Sequence, residues 1–175
     1  ERVVRKYADI AGQEIPDTRM SLVDLLKIYP LKNNQEDFQQ VLQILEPIAP
    51  RLYSISSSPE AHGDEIHITV ARDQFNVGDK QETGLCSGYL IDVPVETKLQ
   101  FYIHPNKGFK LPPEDKDVIM IGPGTGVAPF RSFLFERDAA GAEGRNWLFF
   151  GDQHIASDFL YQTEIQAFLE TGVLT

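Results

Sequence analysis

The residues best suited to chemistry lie at Gly122-Pro123-Gly124-Thr125-Gly126-Val127-Ala128-Pro129-Phe130-Arg131. This stretch follows an apolar run, Val118-Ile119-Met120-Ile121, and precedes a segment with helical spacing at Phe130, Phe133 and Leu134. Glycines at a strand-to-helix turn let the backbone approach a bulky group. The helix start beyond them offers free amides and positive potential. A pyrophosphate suits such a place. The motif is neither a strict G-x-G-x-x-G nor a Walker loop, since no Gly-Lys-Ser/Thr follows. The same three glycines would also serve a tight, well-packed turn, and Pro123 with Ala128-Pro129-Phe130 is the context that favours binding.

Two further segments carry suitable groups. In Arg51-Leu52-Tyr53-Ser54, an extended chain puts Arg51, Tyr53 and Ile55 on one face and Leu52 and Ser54 on the other. A guanidinium beside a phenol ring pairs a binder of phosphate oxygens with a flat surface for a planar ring. An ordinary amphipathic strand would look the same. Gly84-Leu85-Cys86-Ser87-Gly88 is a small-residue turn opening a helix, again suited to an anion, or simply a capped loop.

The elements that must position these groups fall into three styles. Residues 1–50 read as helical. Ser21-Leu22-Val23-Asp24 fits a capping box. A later helix begins near Gln35, with Phe38, Val41, Leu42 and Leu45 at helical spacing and Pro47 and Pro50 ending it. Residues 51–57 look extended, and Ile66, Ile68 and Val70 alternate with polar neighbours, as do Leu99, Phe101 and Ile103. A short helix is expected over 84–92, and the section as a whole suggests a small antiparallel barrel. From Asp117 onward, Val118–Ile121 and Trp147-Leu148-Phe149-Phe150 read as strands buried on both faces. A helix is expected from about Ser157 to Glu170. Strand, helix, strand, helix indicates a doubly wound α/β unit, here with two strands.

Composition narrows the class. The net charge is −10, and Lys and Arg form no cluster, which sets a nucleic-acid partner aside. A single cysteine, Cys86, excludes an internal disulfide. The four histidines lack metal-ligand spacing. No apolar run approaches a membrane span and no signal peptide opens the chain, so a cytoplasmic location is expected. The chain starts at Glu1 in apparent mid-helix and stops at Thr175, so both ends read as cut.

The three segments, in this order, resemble the ferredoxin–NADP reductase superfamily, and within it the diflavin reductase branch. Arg51–Ser58, R-L-Y-S-I-S-S-S, is similar to the R-x-Y-S-I-A-S-S of that branch, and Val118–Arg131 to its V-I-M-I-G-P-G-T-G-x-A-P-F-R. Asn146–Gly151, N-W-L-F-F-G, and Asp158–Tyr161, D-F-L-Y, resemble the sulfite reductase flavoproteins in particular. The resemblance implies an antiparallel β-barrel FAD domain with a helical insertion, followed by a truncated α/β nucleotide-binding domain. Residues 1–50 would be part of the helical connecting subdomain, 51–114 the FAD-binding barrel, and 115–175 the first part of the NADPH-binding domain.

Residue roles follow from the same resemblance. Arg51 would hold the FAD pyrophosphate, with Leu52 beside it. Tyr53 would stack on the isoalloxazine and Ser54 would hydrogen-bond it near the reactive nitrogen. Thr69, Val70 and Ala71 would contact the ring edge and ribityl chain, and Phe75 would lie near the adenine. Gly84, Leu85, Cys86 and Ser87 would cradle the pyrophosphate, while Gly124, Thr125 and Gly126 would face the nicotinamide half of NADPH. Leu85, Ala71, Arg72 and Asp73 depart from the family pattern. No catalytic acid or base is implied; Cys86 is expected to be a packing residue, and Asp158 and Glu164 helix-surface acids. The implied partners are an FMN-binding domain upstream and a haem/iron–sulfur acceptor of the sulfite reductase haemoprotein type. A cytochrome-type diflavin reductase also fits, as does a module that folds without retaining cofactor. A sugar- or nucleic-acid-binding barrel would leave Gly122–Arg131 without a role.

Overall fold

The structure is a computed structural model that describes residues 2–16, 20–33 and 35–175. Its elements in chain order are α1 (Arg2–Ala11), α2 (Leu22–Ile28), α3 (Glu36–Ile44), α4 (Pro59–His62), β1 (Gln74–Val77), β2 (Lys80–Thr83), α5 (Leu85–Asp92), β3 (Val118–Ile121), α6 (Ala128–Ala140), β4 (Asn146–Phe149), α7 (Ile155–Asp158) and α8 (Gln162–Glu170). The chain divides into two compact units, residues 1–51 with 72–89, and residues 52–71 with 90–175.

In the first unit the helices bury Val4, Tyr7, Ala11, Leu25 and Val41 around one centre. Val4, Tyr7 and Ala11 recur at helical spacing, so α1 turns one face inward. The fully buried Tyr7 donates its hydroxyl to the Tyr29 carbonyl at 2.8 Å, as burial of a phenol requires. The hydroxyl half of the expected capping box forms at α2: the Ser21 hydroxyl accepts from the Asp24 amide at 3.1 Å, while the Asp24 carboxylate accepts from that hydroxyl at 2.7 Å. In α3 only Val41 of the expected apolar stripe is buried; Phe38, Leu42 and Leu45 are exposed, and the helix ends at Ile44, before Pro47.

The same unit holds a hairpin that the residue pattern had not suggested. β1 and β2 pair antiparallel with Val77 opposite Lys80. The two-residue connection opens on Gly78 at φ 60°, a value glycine adopts without strain. Helix α5 follows at Leu85–Asp92, as expected.

The second unit contains a parallel pair, β3 and β4, joined through α6. Met120 and Leu148 face a core formed with Leu134 of α6 and Ile165 and Phe168 of α8. Both helices cover that one face. Ile119, Ile121, Trp147 and Phe149, on the other face, are exposed, so burial alternates where burial on both faces was expected. The α6 helix ends at Gly141, whose left-handed conformation (φ 65°) lets its amide cap the final carbonyls.

Below the strands lies the buried guanidinium of Arg137. Its Nε donates to Asn146 Oδ1 at 2.6 Å, and its Nη2 to the carbonyls of Lys116 (3.0 Å) and Gly144 (2.7 Å). Asn146 in turn donates Nδ2 to the Val173 carbonyl at 2.9 Å. One arginine thereby fixes where both strands begin. At the surface nearby, Asp117 pairs with Arg145 at 2.7 Å, and the Arg145 guanidinium sits 5.5 Å from the centre of the Trp147 ring.

Three expected strands and one helix differ. Over 51–57 and 65–70 the pairing reduces to one antiparallel bridge, Ile55 to Ile68. Residues 99–103 carry no assigned strand despite their alternation. Alternation suits a strand but a ladder also needs a partner in register. The helix expected from Ser157 to Glu170 is interrupted at Phe159–Tyr161, where Tyr161 takes φ 57° and the Phe159 ring stacks on Phe150 at 5.2 Å.

Candidate functional site

The glycine-rich turn sits at the carboxyl end of β3, where open α/β sheets receive ligands. Pro123 is extended, Gly124–Val127 form one 3-10 turn, and α6 begins at Ala128. Gly122 is there for space: a Cβ on it would lie 2.6 Å from the Gly126 carbonyl oxygen and 2.8 Å from the Phe130 ring. Gly124 is there for conformation, at φ 52°. Its amide donates to the Gly151 carbonyl beyond β4 at 3.0 Å, and the Gly126 amide donates to the Pro123 carbonyl at 3.0 Å. These two amides hold the turn in shape. Thr125 and Gly126 are exposed at its tip, and a Cβ on Gly126 would meet only Pro123 Cδ, at 3.8 Å.

Further along α6, three consecutive contacts reach the residues after Ser54. Arg131 donates Nη1 to the Ser56 carbonyl at 2.7 Å, Ser132 donates Oγ to the Ser57 carbonyl at 2.7 Å, and Ser58 donates Oγ to the Glu136 carboxylate. Ser56, Ser57 and Ser58 are all buried. Ser57 ties them to the neighbouring extended segment, donating Oγ to the Glu65 carbonyl at 2.9 Å and accepting from the His67 amide at 3.1 Å.

Arg131 is the centre of this arrangement and only 8 % exposed. Its Nε and Nη2 form a two-pronged pair with Glu164 of α8 at 2.6 and 2.8 Å. The rings of Phe135 and Tyr161 lie 4.8 Å from its guanidinium carbon. The hydrogen bond to Glu164 raises the Arg131 pKa above its already high ordinary value, burial opposing, so the cation persists at every accessible pH. His67 Nδ1 lies 3.2 Å from Arg131 Nη1 and its Nε2 2.8 Å from the Glu65 carboxylate. Arginine can only donate, so that geometry suits a neutral imidazole protonated at Nε2. Tyr161 completes the set through a hydroxyl–hydroxyl bond with Thr69.

Glu164 is thus a half-buried partner of Arg131, correcting its expected place as a surface acid. Asp158 is half-buried and its carboxylate accepts from the His154 amide at 2.9 Å. The Arg131–Glu164 partnership, 33 positions apart, is not readable from local spacing. The signal that was readable is Arg131 itself, a charge in line with Val127 and Leu134 on an apolar helix face, where a buried guanidinium must be paired.

Of the other expected site residues in this unit, Tyr53, Thr69 and Val70 are half-buried, while Leu52, Ser54 and Ala71 are exposed. The Ile55–Ile68 bridge brings the Tyr53–Ser54 and Thr69–Ala71 segments alongside each other. In the first unit, Arg51 is exposed and Phe75 is half-buried on β1. At the start of α5, the Gly84 amide donates to the Asp73 carbonyl at 2.7 Å, and the buried Ser87 hydroxyl accepts from the Asp73 amide at 3.1 Å and donates to the Gly84 carbonyl at 3.3 Å. Gly84 has no room for a side chain, since a Cβ would stand 2.9 Å from both Asp73 Oδ2 and Ser87 Oγ. The first intrahelical bond is Gly88 to Gly84 at 2.8 Å, so the Leu85 and Cys86 amides precede the helical ladder and suit an anion. Leu85 is exposed and Cys86 half-buried.

A glycine turn at a parallel strand's carboxyl end is the form that nucleotide-binding α/β units take, and the class it points to is the nucleotide-binding proteins. Comparison with known families agrees: residues 5–89 match the FAD binding domain, and residues 120–172 the oxidoreductase NAD-binding domain. Among similar curated proteins, the sulfite reductase [NADPH] flavoprotein alpha-component of Mannheimia succiniciproducens is 48 % identical over 155 residues, covering 87 % of this chain and 26 % of that protein. The same component from Photorhabdus laumondii is 46 % identical over 185 residues, covering 99 % of this chain and 31 % of that protein. That of Yersinia enterocolitica is 40 % identical over 177 residues, 100 % of this chain and 29 % of that protein. The chain belongs to the sulfite reductase flavoprotein family of FAD- and NAD(P)-binding oxidoreductases. It spans under a third of the length of these relatives. No helix among the described residues is long and apolar enough to cross a membrane.

Proposed function

We propose that this chain is the FAD-holding and nicotinamide-facing portion of an NADPH-dependent reductase of the sulfite reductase type. FAD, when bound, supplies the two-electron to one-electron conversion, and the protein supplies binding, orientation and electrostatics. Residues 1–50 would belong to the helical connecting subdomain, 51–114 to an antiparallel FAD-binding barrel, and 115–175 to the NADPH-binding α/β domain. Electrons would continue to FMN in a separate domain and then to a haem/iron–sulfur protein in the cytoplasm.

The residues present suit these groups. Arg51 offers an exposed guanidinium for pyrophosphate oxygens, and the Leu85 and Cys86 amides offer donors at a helix start, with Gly84 and Ser87 shaping that turn. Tyr53 presents a half-buried ring for a planar partner and Ser54 an exposed hydroxyl. Thr69, Val70 and Ala71 run beside them and Leu52 flanks Arg51, while Phe75 provides an apolar surface for an adenine. Gly124, Thr125 and Gly126 would receive the nicotinamide half of NADPH. The observation that carries the reading is the seat of this turn at the end of β3, with its helix anchored onto the residues following Tyr53 and Ser54.

The test is an absorbance spectrum of the purified chain before and after addition of FAD and desalting. A retained flavin band that disappears in Arg51→Ala is expected. Absence of a retained band both here and in a version extended past Thr175 refutes the assignment. Retention in the extended version alone locates a necessary flavin contact beyond Thr175.

A further inference from the structure

Five hydrogen bonds connect α6 with Ser56–Ser58 and with Glu164, and none of the residues offered to a cofactor above makes them. Helix α6 grows directly out of the turn offered to the nicotinamide. Ser56–Ser58 follow directly on Tyr53 and Ser54, offered to the flavin ring. Arg131 bonds to Ser56 with one nitrogen and to Glu164 with two others. Tyr161, packed on the same guanidinium, bonds to Thr69 of the second flavin-side segment. A guanidinium with three donors committed in fixed directions is a rigid spacer, unlike a lysine on a flexible stem.

We propose that Arg131 is a positioning residue for hydride transfer: held by Glu164, it sets the distance between the Gly124–Gly126 turn and the Tyr53–Ser54 segment. Ser132, through the Ser57 carbonyl, is its auxiliary. The inference rests on the functional reading given above. Hydride transfer needs the donor carbon of the nicotinamide and the acceptor nitrogen of the flavin at roughly 3–3.5 Å, and a displacement near 1 Å costs about 100-fold in rate. The affinity for each nucleotide depends on other contacts and should change far less.

The experiment uses the full-length, FAD-loaded protein. Flavin content, the KM for NADPH, the single-turnover rate of flavin reduction and the primary deuterium isotope effect are measured for wild type, Arg131→Lys and Ser132→Ala. In Arg131→Lys, flavin content and KM are expected to stay within about threefold, while reduction slows by about tenfold or more and the isotope effect rises. Ser132→Ala should show the same pattern at roughly threefold, and carries the test if Arg131→Lys does not fold. Reduction within twofold of wild type in a folded, flavin-loaded variant, with only thermal stability lowered, overturns the proposal and leaves Arg131 as a staple. Failure of the wild type itself to bind FAD or to be reduced by NADPH overturns the functional reading, and the proposal with it.

Discussion

Gly122→Ala tests the glycine turn most directly. The added methyl would stand 2.6 Å from the Gly126 carbonyl oxygen and 2.8 Å from the Gly126 carbon and the Phe130 ring. Carbon–oxygen contacts start at roughly 3.2 Å, so either backbone must give by about 0.6 Å, in a region whose side chains are close-packed. Neither side yields easily, because Gly122 is bonded to the Phe149 carbonyl and Gly126 to that of Pro123, each at 3.0 Å. Overpacking of this kind costs about 1–3 kcal/mol, and the upper end is expected here because backbone is the obstacle. At roughly 2–4 °C per kcal/mol for a chain of this size, the melting temperature should fall by about 6–12 °C. Two controls separate space from conformation. Gly141→Ala meets nothing within 4 Å but forces alanine to φ 65°, and should cost only about 1–2 kcal/mol. Gly126→Ala meets only an ordinary contact at 3.8 Å and no positive φ, and should hold the melting temperature within about 2 °C while weakening NADPH binding. Circular dichroism melts of the three variants measure the order. A Gly122→Ala loss no larger than that of Gly141→Ala would refute the steric reasoning.

Other expectations follow from single contacts. Asn146→Ala removes the acceptor from the buried Arg137 Nε and the donor from the Val173 carbonyl, and should cost about 2–4 kcal/mol in urea unfolding. Ser21→Ala removes the cap of α2 and should cost about 1 kcal/mol by the same assay. The hydrogen bonds from Arg145 hold the Asp117 carboxyl below its ordinary range. A lowered folded value means a contribution present above the unfolded pKa, about 4, and lost as pH falls through the folded one. Asp117→Asn should therefore melt below wild type at neutral pH and converge with it in acid; a gap that persists at the acid end contradicts this.

Much of this was legible along the chain because its cause is local. The Ser21–Asp24 cap, the α5 start and the β3-turn-α6 passage each depend on neighbours within a few residues. What escaped depends on distant partners or on backbone detail. Glu164 reads as a surface acid until Arg131, 33 positions earlier, is seen to point at it. The D-F-L-Y stretch has helical composition, yet Phe159 turns to stack on Phe150 and Tyr161 passes through a left-handed conformation. The hairpin at Gln74–Thr83 left a signal in Val77-Gly78-Asp79-Lys80, a short glycine turn between extended segments. At the proposed flavin side, Arg51, Tyr53 and Ser54 were recognisable as residue types, whereas the anchoring of Ser56–Ser58 to α6 could only emerge from the fold.

Trp147 is the sole tryptophan in the chain, and its place on β4 makes it a built-in spectroscopic probe. Its indole emission reports on the parallel strand pair, while the helical cluster around Tyr7 has no tryptophan of its own. Denaturation followed by fluorescence and by far-ultraviolet dichroism would thus superimpose only if both units melt together. The Arg145 guanidinium beside the indole is held by Asp117, so acidification that frees it should also shift the emission, letting a single dye-free titration follow one surface ion pair.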